Sequence, residues 1–142
     1  MSEQPGALST AFSAVPPQSI EAERSVLGAL LQDGRAVSIA MEMLQEDDFY
    51  TPAHREIYSA IRALAQQSTA VDLVTVDAEL SRRGTLNGVG GSSYLVELLQ
   101  YVPTTANVQN YITIVLEKST LRRLIQAAST ISRNCYEQRL DL

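Results

Sequence analysis

His54 and Cys135 are the only histidine and the only cysteine in the chain, so they are the first residues to weigh for chemistry. A nucleophile activated by a histidine needs Ser or Cys beside the imidazole and an acid to orient it. The sequence around His54 supplies no such set. A histidine in the first turn of a helix is expected to be exposed or partly packed. Cys135 falls among apolar residues at helical spacing, where cysteine serves as a small core residue. One His, one Cys and no carboxylates at ligand spacing do not make a metal site. Glu46-Asp47-Asp48 is a run of three acids with no further oxygen ligands at set spacing, and reads as a solvated turn. The glycines from Gly88 to Gly91 lack the GxxxxGK[ST] order of a phosphate cradle. Lys118-Ser119 has the last two letters of that motif but no glycine near it. Arg82-Arg83 could belong to a helix-turn-helix, whose second helix must present basic and amide groups to base edges. The next helical stretch, Ser92 to Gln100, offers Gln100 alone, and Glu97 opposes phosphate. No catalytic, cofactor-binding or metal-ligating residue emerges from these patterns.

The elements that carry these residues read as helices. Ser19 can cap a helix whose first turn holds Glu21 and Glu23, both favourable at the positive end of the helix dipole. Ile20, Val26, Leu27, Leu30 and Leu31 give it a broad apolar face. Gly28 in its middle predicts close approach of another helix. Asp33-Gly34 ends it, and Ala36 to Leu44 forms a second helix. Thr51-Pro52 is a start signal for a third, with Ile57, Tyr58, Ile61, Leu64 and Ala65 facing inward. Asp72 to Arg83 reads as a short helix capped by Thr75, although Val71 to Val76 is β-branched enough for a strand. Asn87, Gly88, Gly90 and Gly91 read as a flexible loop. Ser92 can cap the next helix, which buries Tyr94, Leu95, Leu98 and Leu99, and Pro103 stops it.

The longest uninterrupted stretch is Asn107 to Tyr136, without Gly or Pro, and Thr105 or Asn107 can cap it. Tyr111, Ile112, Val115, Leu121, Leu124, Ile125, Ala128, Ile131 and Cys135 recur at the spacing of one helix face. Such a helix is about 40 Å long. Two readings follow. Either the stripe closes the core of this domain, or its N-terminal part caps the core and its C-terminal part is an arm for a partner helix.

Composition bounds the rest. The 142 residues suffice for one domain with a modest core, and 45% hydrophobic residues fit a folded chain. A net charge of −5 argues against a general nucleic-acid binder. After Pro103 five bases face three acids, so that region carries +2 and the remainder −7. A single cysteine rules out an internal disulfide and suits a reducing cytoplasm. No apolar run predicts a transmembrane helix, and the N-terminal residues lack the basic-then-apolar order expected of a signal peptide.

A resemblance gathers these motifs. The run Val15-Pro16-Pro17-Gln18-Ser19-Ile20-Glu21-Ala22-Glu23-Arg24-Ser25-Val26-Leu27-Gly28-Ala29-Leu30 resembles the opening of the N-terminal domain of bacterial replicative DNA helicases of the DnaB family. Asp48-Phe49-Tyr50 with His54, Ile57 and Tyr58 resembles the next block. Asp72-Leu73-Val74-Thr75-Val76 with Leu80 and Gly84 resembles the third, and Val89-Gly90-Gly91 with Tyr94-Leu95 the fourth. Asn107, Tyr111, Ile114-Val115, Glu117 and Arg123-Leu124-Ile125 resemble the fifth. The match covers Val15 to Tyr136, and five blocks in order at fitting spacings are specific.

The resemblance implies an all-α domain: a compact bundle of about six helices, the last long and forming one arm of a helical hairpin. It implies a tail over 1–17, a helical head over 18–106 and a first hairpin arm over 107–142. Family members pair through their hairpins into dimers, and three dimers form a collar on the hexameric ring. That collar docks primase and, in some members, a helicase loader. A RecA-like motor that takes ATP and Mg follows a linker. This sequence is expected to stop, at Leu142, before the second arm and the motor. The chain is therefore expected to be a non-catalytic assembly and docking module without a cofactor of its own. It should bind DNA weakly at most, and act in the cytoplasm. Its expected partner surface is Leu121, Leu124, Ile125, Ala128, Ile131 and Cys135. The runner-up is a DNA-binding regulator using the Thr75–Gly84 region.

Overall fold

The computed structural model describes residues 15–101 and 107–139. Within them every regular element is helical: α1 (Ile20–Gln32), α2 (Gly34–Met43), a 3₁₀ turn (Glu46–Asp48), α3 (Pro52–Gln66), α4 (Leu73–Arg83), α5 (Leu86–Val89), α6 (Gly91–Tyr101) and α7 (Val108–Tyr136). The all-α expectation holds, with one more helix than the six expected. The extra one is α5, a single turn where a flexible loop over Asn87 to Gly91 was expected. Gly90 ends that turn in the left-handed region at φ +114°, a conformation that favours glycine. A Cβ there would stand 2.9 Å from Cβ of Tyr94.

α1 is the central helix, laid along α6 and α7 and touching α2 and α3. Its apolar face, read from the spacing, is buried: Val26, Leu27 and Leu30 are fully enclosed. Gly28 is buried too. From the other helices Ile57, Ile61, Leu80, Leu95 and Leu98 meet them without solvent exposure. Tyr58 joins the same core, and its hydroxyl donates to the carbonyls of Ala40 (3.1 Å) and Leu44 (2.9 Å). Burial pushes that phenol up to about 12.

The caps differ in detail from the sequence reading. Ser19 does cap α1, accepting from the Ala22 N–H at 3.2 Å. For α4 the cap is Asp72, not Thr75: the Asp72 carboxylate accepts from the Thr75 N–H (2.9 Å) while the Thr75 hydroxyl accepts from the Asp72 N–H (3.0 Å). This reciprocal box favours the helix over the strand that the β-branched run suggested. Ser92 lies inside α6, not at its cap, and its hydroxyl donates to Asp77. Asn107 makes no side-chain capping bond at the start of α7. Thr105 and Met1 to Ala14 lie outside the described residues.

Candidate interaction surface

α7 is where the sequence reading and the structure part most. The apolar positions do not form one stripe. At about 100° per residue, Val108, Ile112, Val115 and Ser119 share the side buried against the head. Leu121, Leu124, Ile125, Ala128, Ile131 and Cys135 centre on the opposite side, about 180° away. The change of face falls at the six-residue step from Val115 to Leu121, which is not a helical repeat. Leu124 and Ile131 are 61% and 60% exposed. Cys135 is exposed as well, so it is not the small core residue that its neighbours suggested. The six residues of the expected partner surface therefore lie together on one solvent-facing side.

Beside this face, Val15 to Pro17 runs along α7. Between them lies an open groove of about 1150 Å³ lined by Ile125, Ala128, Ser129, Ser132 and Tyr136. Arg122 and Arg133 stand on its walls.

Two buried polar groups fix the frame that presents this face, and the sequence reading missed both. In the first, Glu23 on α1 is 1% exposed and His54 on α3 is fully enclosed. The carboxylate faces Nδ1 of His54 at 2.7 Å and accepts from the N–H groups of Tyr50 (2.6 Å) and Thr51 (3.3 Å). Nε2 of His54 meets the Tyr94 hydroxyl at 2.6 Å. Burial raises the Glu23 carboxyl, but the His54 contact and the two backbone donors outweigh it and hold the group below its ordinary value. His54 is thus a core residue rather than the exposed or partly packed one expected of a helix start. The only hint in the sequence was an acid in the first turn of α1, read as a dipole partner.

In the second, Asp48 is 1% exposed, so the acidic run is not a wholly solvated turn. Asp48 accepts from the Gln45 N–H (2.7 Å), the Ser119 hydroxyl (2.6 Å) and the Arg123 guanidinium. A buried carboxylate persists only when paired and hydrogen-bonded in this way.

Arg82 and Arg83 are paired with acids of the head, Arg82 at the surface and Arg83 partly enclosed. Both reach Glu79, at 2.7 and 2.8 Å, and Arg83 also reaches Glu56 at 3.2 Å. The two guanidiniums hold the Glu79 carboxyl down at about 2. Among the described residues no three His, Cys, Asp or Glu side chains are grouped to hold a metal. No described helix is long and apolar enough to cross a membrane.

A compact helical head with a projecting terminal helix matches a known domain. The family model of the DnaB-like helicase N terminal domain matches residues 15–117. The chain belongs to that family. Replicative DNA helicase DnaC of Bacillus subtilis is 48% identical over 122 residues, covering 86% of this chain and 27% of that protein. Replicative DNA helicase DnaB of Geobacillus stearothermophilus is 49% identical over 130 residues, covering 90% of this chain and 29% of that protein. The chain therefore spans less than a third of the length of these relatives. Among solved structures, the N-terminal domain of DnaB helicase from Mycobacterium tuberculosis superposes with a TM-score of 0.83 at 45% identity, covering 86% of this chain and 88% of that one. The corresponding domain from Helicobacter pylori shares the fold at a TM-score of 0.68 and 19% identity, covering 82% and 90%.

Proposed function

We propose that this DnaB-type N-terminal domain is a non-catalytic assembly and docking module of a replicative DNA helicase. It self-associates through the outer face of α7 and serves primase and a helicase loader as a docking platform. The observation that carries this reading is the uncovered apolar face over Leu121, Leu124, Ile125, Ala128 and Ile131. Exposed apolar surface of this extent on one helix side marks a contact site. Burying three or four of these Leu and Ile side chains is worth about 1.5–3 kcal/mol each before association costs. That supports a monomer–dimer equilibrium at about micromolar concentrations or weaker. Docking of primase is supported by the Helicobacter pylori relative, whose structural description includes its interactions with primase. On this reading ATP and Mg serve the motor domain of full-length family members, and this domain takes no cofactor of its own.

The DNA-regulator reading draws no support from the head. The cations it needs are paired, Arg82 with Glu79 and Arg83 with Glu79 and Glu56, so a phosphate would compete with these carboxylates.

Sedimentation velocity across concentrations tests the proposal. The parent chain is expected to shift toward dimer as concentration rises, and Leu124→Glu with Ile131→Glu to remain monomeric with the head's melting transition intact. Association of the double variant equal to the parent would exclude the outer face as the interface.

A further inference from the structure

We infer that Asp48 is a clasp that sets the direction in which the distal half of α7 projects from the head. Two attachments hold α7, and they differ in kind. The first is apolar: Val108, Ile112 and Val115 are buried against the head. Apolar contact is non-directional and fixes position better than angle. The second is polar and lies further along the helix. Ser119, Arg122 and Arg123 all converge on the 3₁₀ turn between α2 and α3. Ser119 donates to Oδ1 of Asp48 at 2.6 Å, and Arg123 donates to the same oxygen. Arg122 donates to the Asp48 carbonyl at 2.7 Å and to the Pro17 carbonyl at 2.7 Å. Its guanidinium also lies over the Tyr50 ring, 5.5 Å from the centroid. Oδ2 of Asp48 is taken by the Gln45 N–H.

Hydrogen bonds of this kind are directional. A second, directional attachment beyond a first, apolar one defines the axis of a rod. Beyond Arg123 no residue of α7 is buried; among the described residues only Val15 to Pro17 lies beside that part of the helix, across the open groove. From Arg123 to Tyr136 the helix runs about 20 Å. A tilt of 10° at the clasp moves its far end by about 3 Å. The head thus dictates where the outer face points through the 3₁₀ turn, by the Asp48 carboxylate that Ser119 and Arg123 reach and the Asp48 carbonyl that Arg122 reaches.

Every group meeting the Asp48 carboxylate is a donor. Asp48→Asn has one acceptor and one NH₂, so either orientation of the amide sets a donor against a donor. That variant is expected to loosen the arm, while the apolar attachment and the Arg122 bonds to the Asp48 and Pro17 carbonyls persist. The inference concerns one molecule and does not depend on self-association.

Cys135 is the only cysteine and is exposed near the end of the arm. Ser38 on α2 is also exposed. Spin labels on Cys135 and on Ser38→Cys, diluted into excess unlabelled chain, give the head-to-arm distance by pulsed dipolar spectroscopy. A single narrow distribution is expected for the parent. Asp48→Asn is expected to shift or broaden it by more than about 3 Å, with unchanged helix content by circular dichroism. A parent distribution already broad, or an Asp48→Asn distribution as narrow and as centred as the parent's in a folded head, overturns the inference. If Asp48→Asn fails to fold, Ser119→Ala with Arg123→Gln removes the same contacts from the arm's side and is judged by the same criterion.

Discussion

Replacing Glu23 by Gln isolates the buried group that ties α1 to the start of α3. The change keeps the side chain's size and removes one acceptor. If Oε1 of the amide stays on His54 and Thr51, its NH₂ faces the Tyr50 N–H across what is now a 2.6 Å hydrogen bond. Turning the amide over moves the conflict to the Thr51 N–H, whereas His54 can change tautomer and accept at Nδ1. One buried donor is left unsatisfied, at about 1–3 kcal/mol. The surviving bonds fall from charge-assisted to neutral, roughly half as strong. The sum is about 2–4 kcal/mol, a loss of about 8–16 °C in melting temperature for a domain of this size. The pH dependence has a definite sign. The folded carboxyl lies below its ordinary value, so the unfolded chain binds the proton first as pH falls. The stability from Glu23 is complete above the unfolded value of about 4.3 and is lost as pH drops through the folded value. Urea melts of parent and Glu23→Gln between pH 3 and 7, taken as about the accessible range, should converge toward the acid end. A Glu23→Gln variant within about 0.5 kcal/mol of the parent at neutral pH, or an equally steep acid limb, refutes the bookkeeping.

Three further outcomes follow from the core, the α5–α6 turn and the proposal that this chain takes no cofactor. Leu30→Ala or Leu98→Ala should each cost about 2–5 kcal/mol in denaturant unfolding, because both are fully enclosed. Gly90→Ala should cost about 1–3 kcal/mol, since its φ of +114° resists a side chain and the new Cβ meets Tyr94. The Tyr94 ring beside His54 should shift in its NMR spectrum in that variant. Titration calorimetry with ATP and Mg should give no binding heat at micromolar protein.

The helical class, the core residues and the start of α1 could be read in advance because they depend on local spacing. Leu27, Ile57 and Leu98 each sit in a repeat that only a helix places on one face. His54 and Asp48 were misread for the opposite reason. Their partners stand far off along the chain: Glu23 for His54, Ser119 and Arg123 for Asp48. No local pattern distinguishes a solvated acid from one whose compensating cation arrives from a distant helix. Cys135 was misjudged by a third route. Apolar neighbours at helical spacing show that a face exists but not whether anything covers it. The two faces of α7 were merged because both are apolar, and the break at Leu121 shows only when the helical phase is carried through the six-residue step. The outer six residues were nevertheless picked out together, and they share one side of the helix.

Amide hydrogen exchange of the parent chain at two concentrations bears most directly on the claim that the outer face of α7 is where this chain meets another. Peptides covering Leu121 to Tyr136 should gain protection as concentration rises, while those covering Val108 to Ser119 and the head keep theirs. Protection that is independent of concentration, or a gain confined to the head, would contradict it.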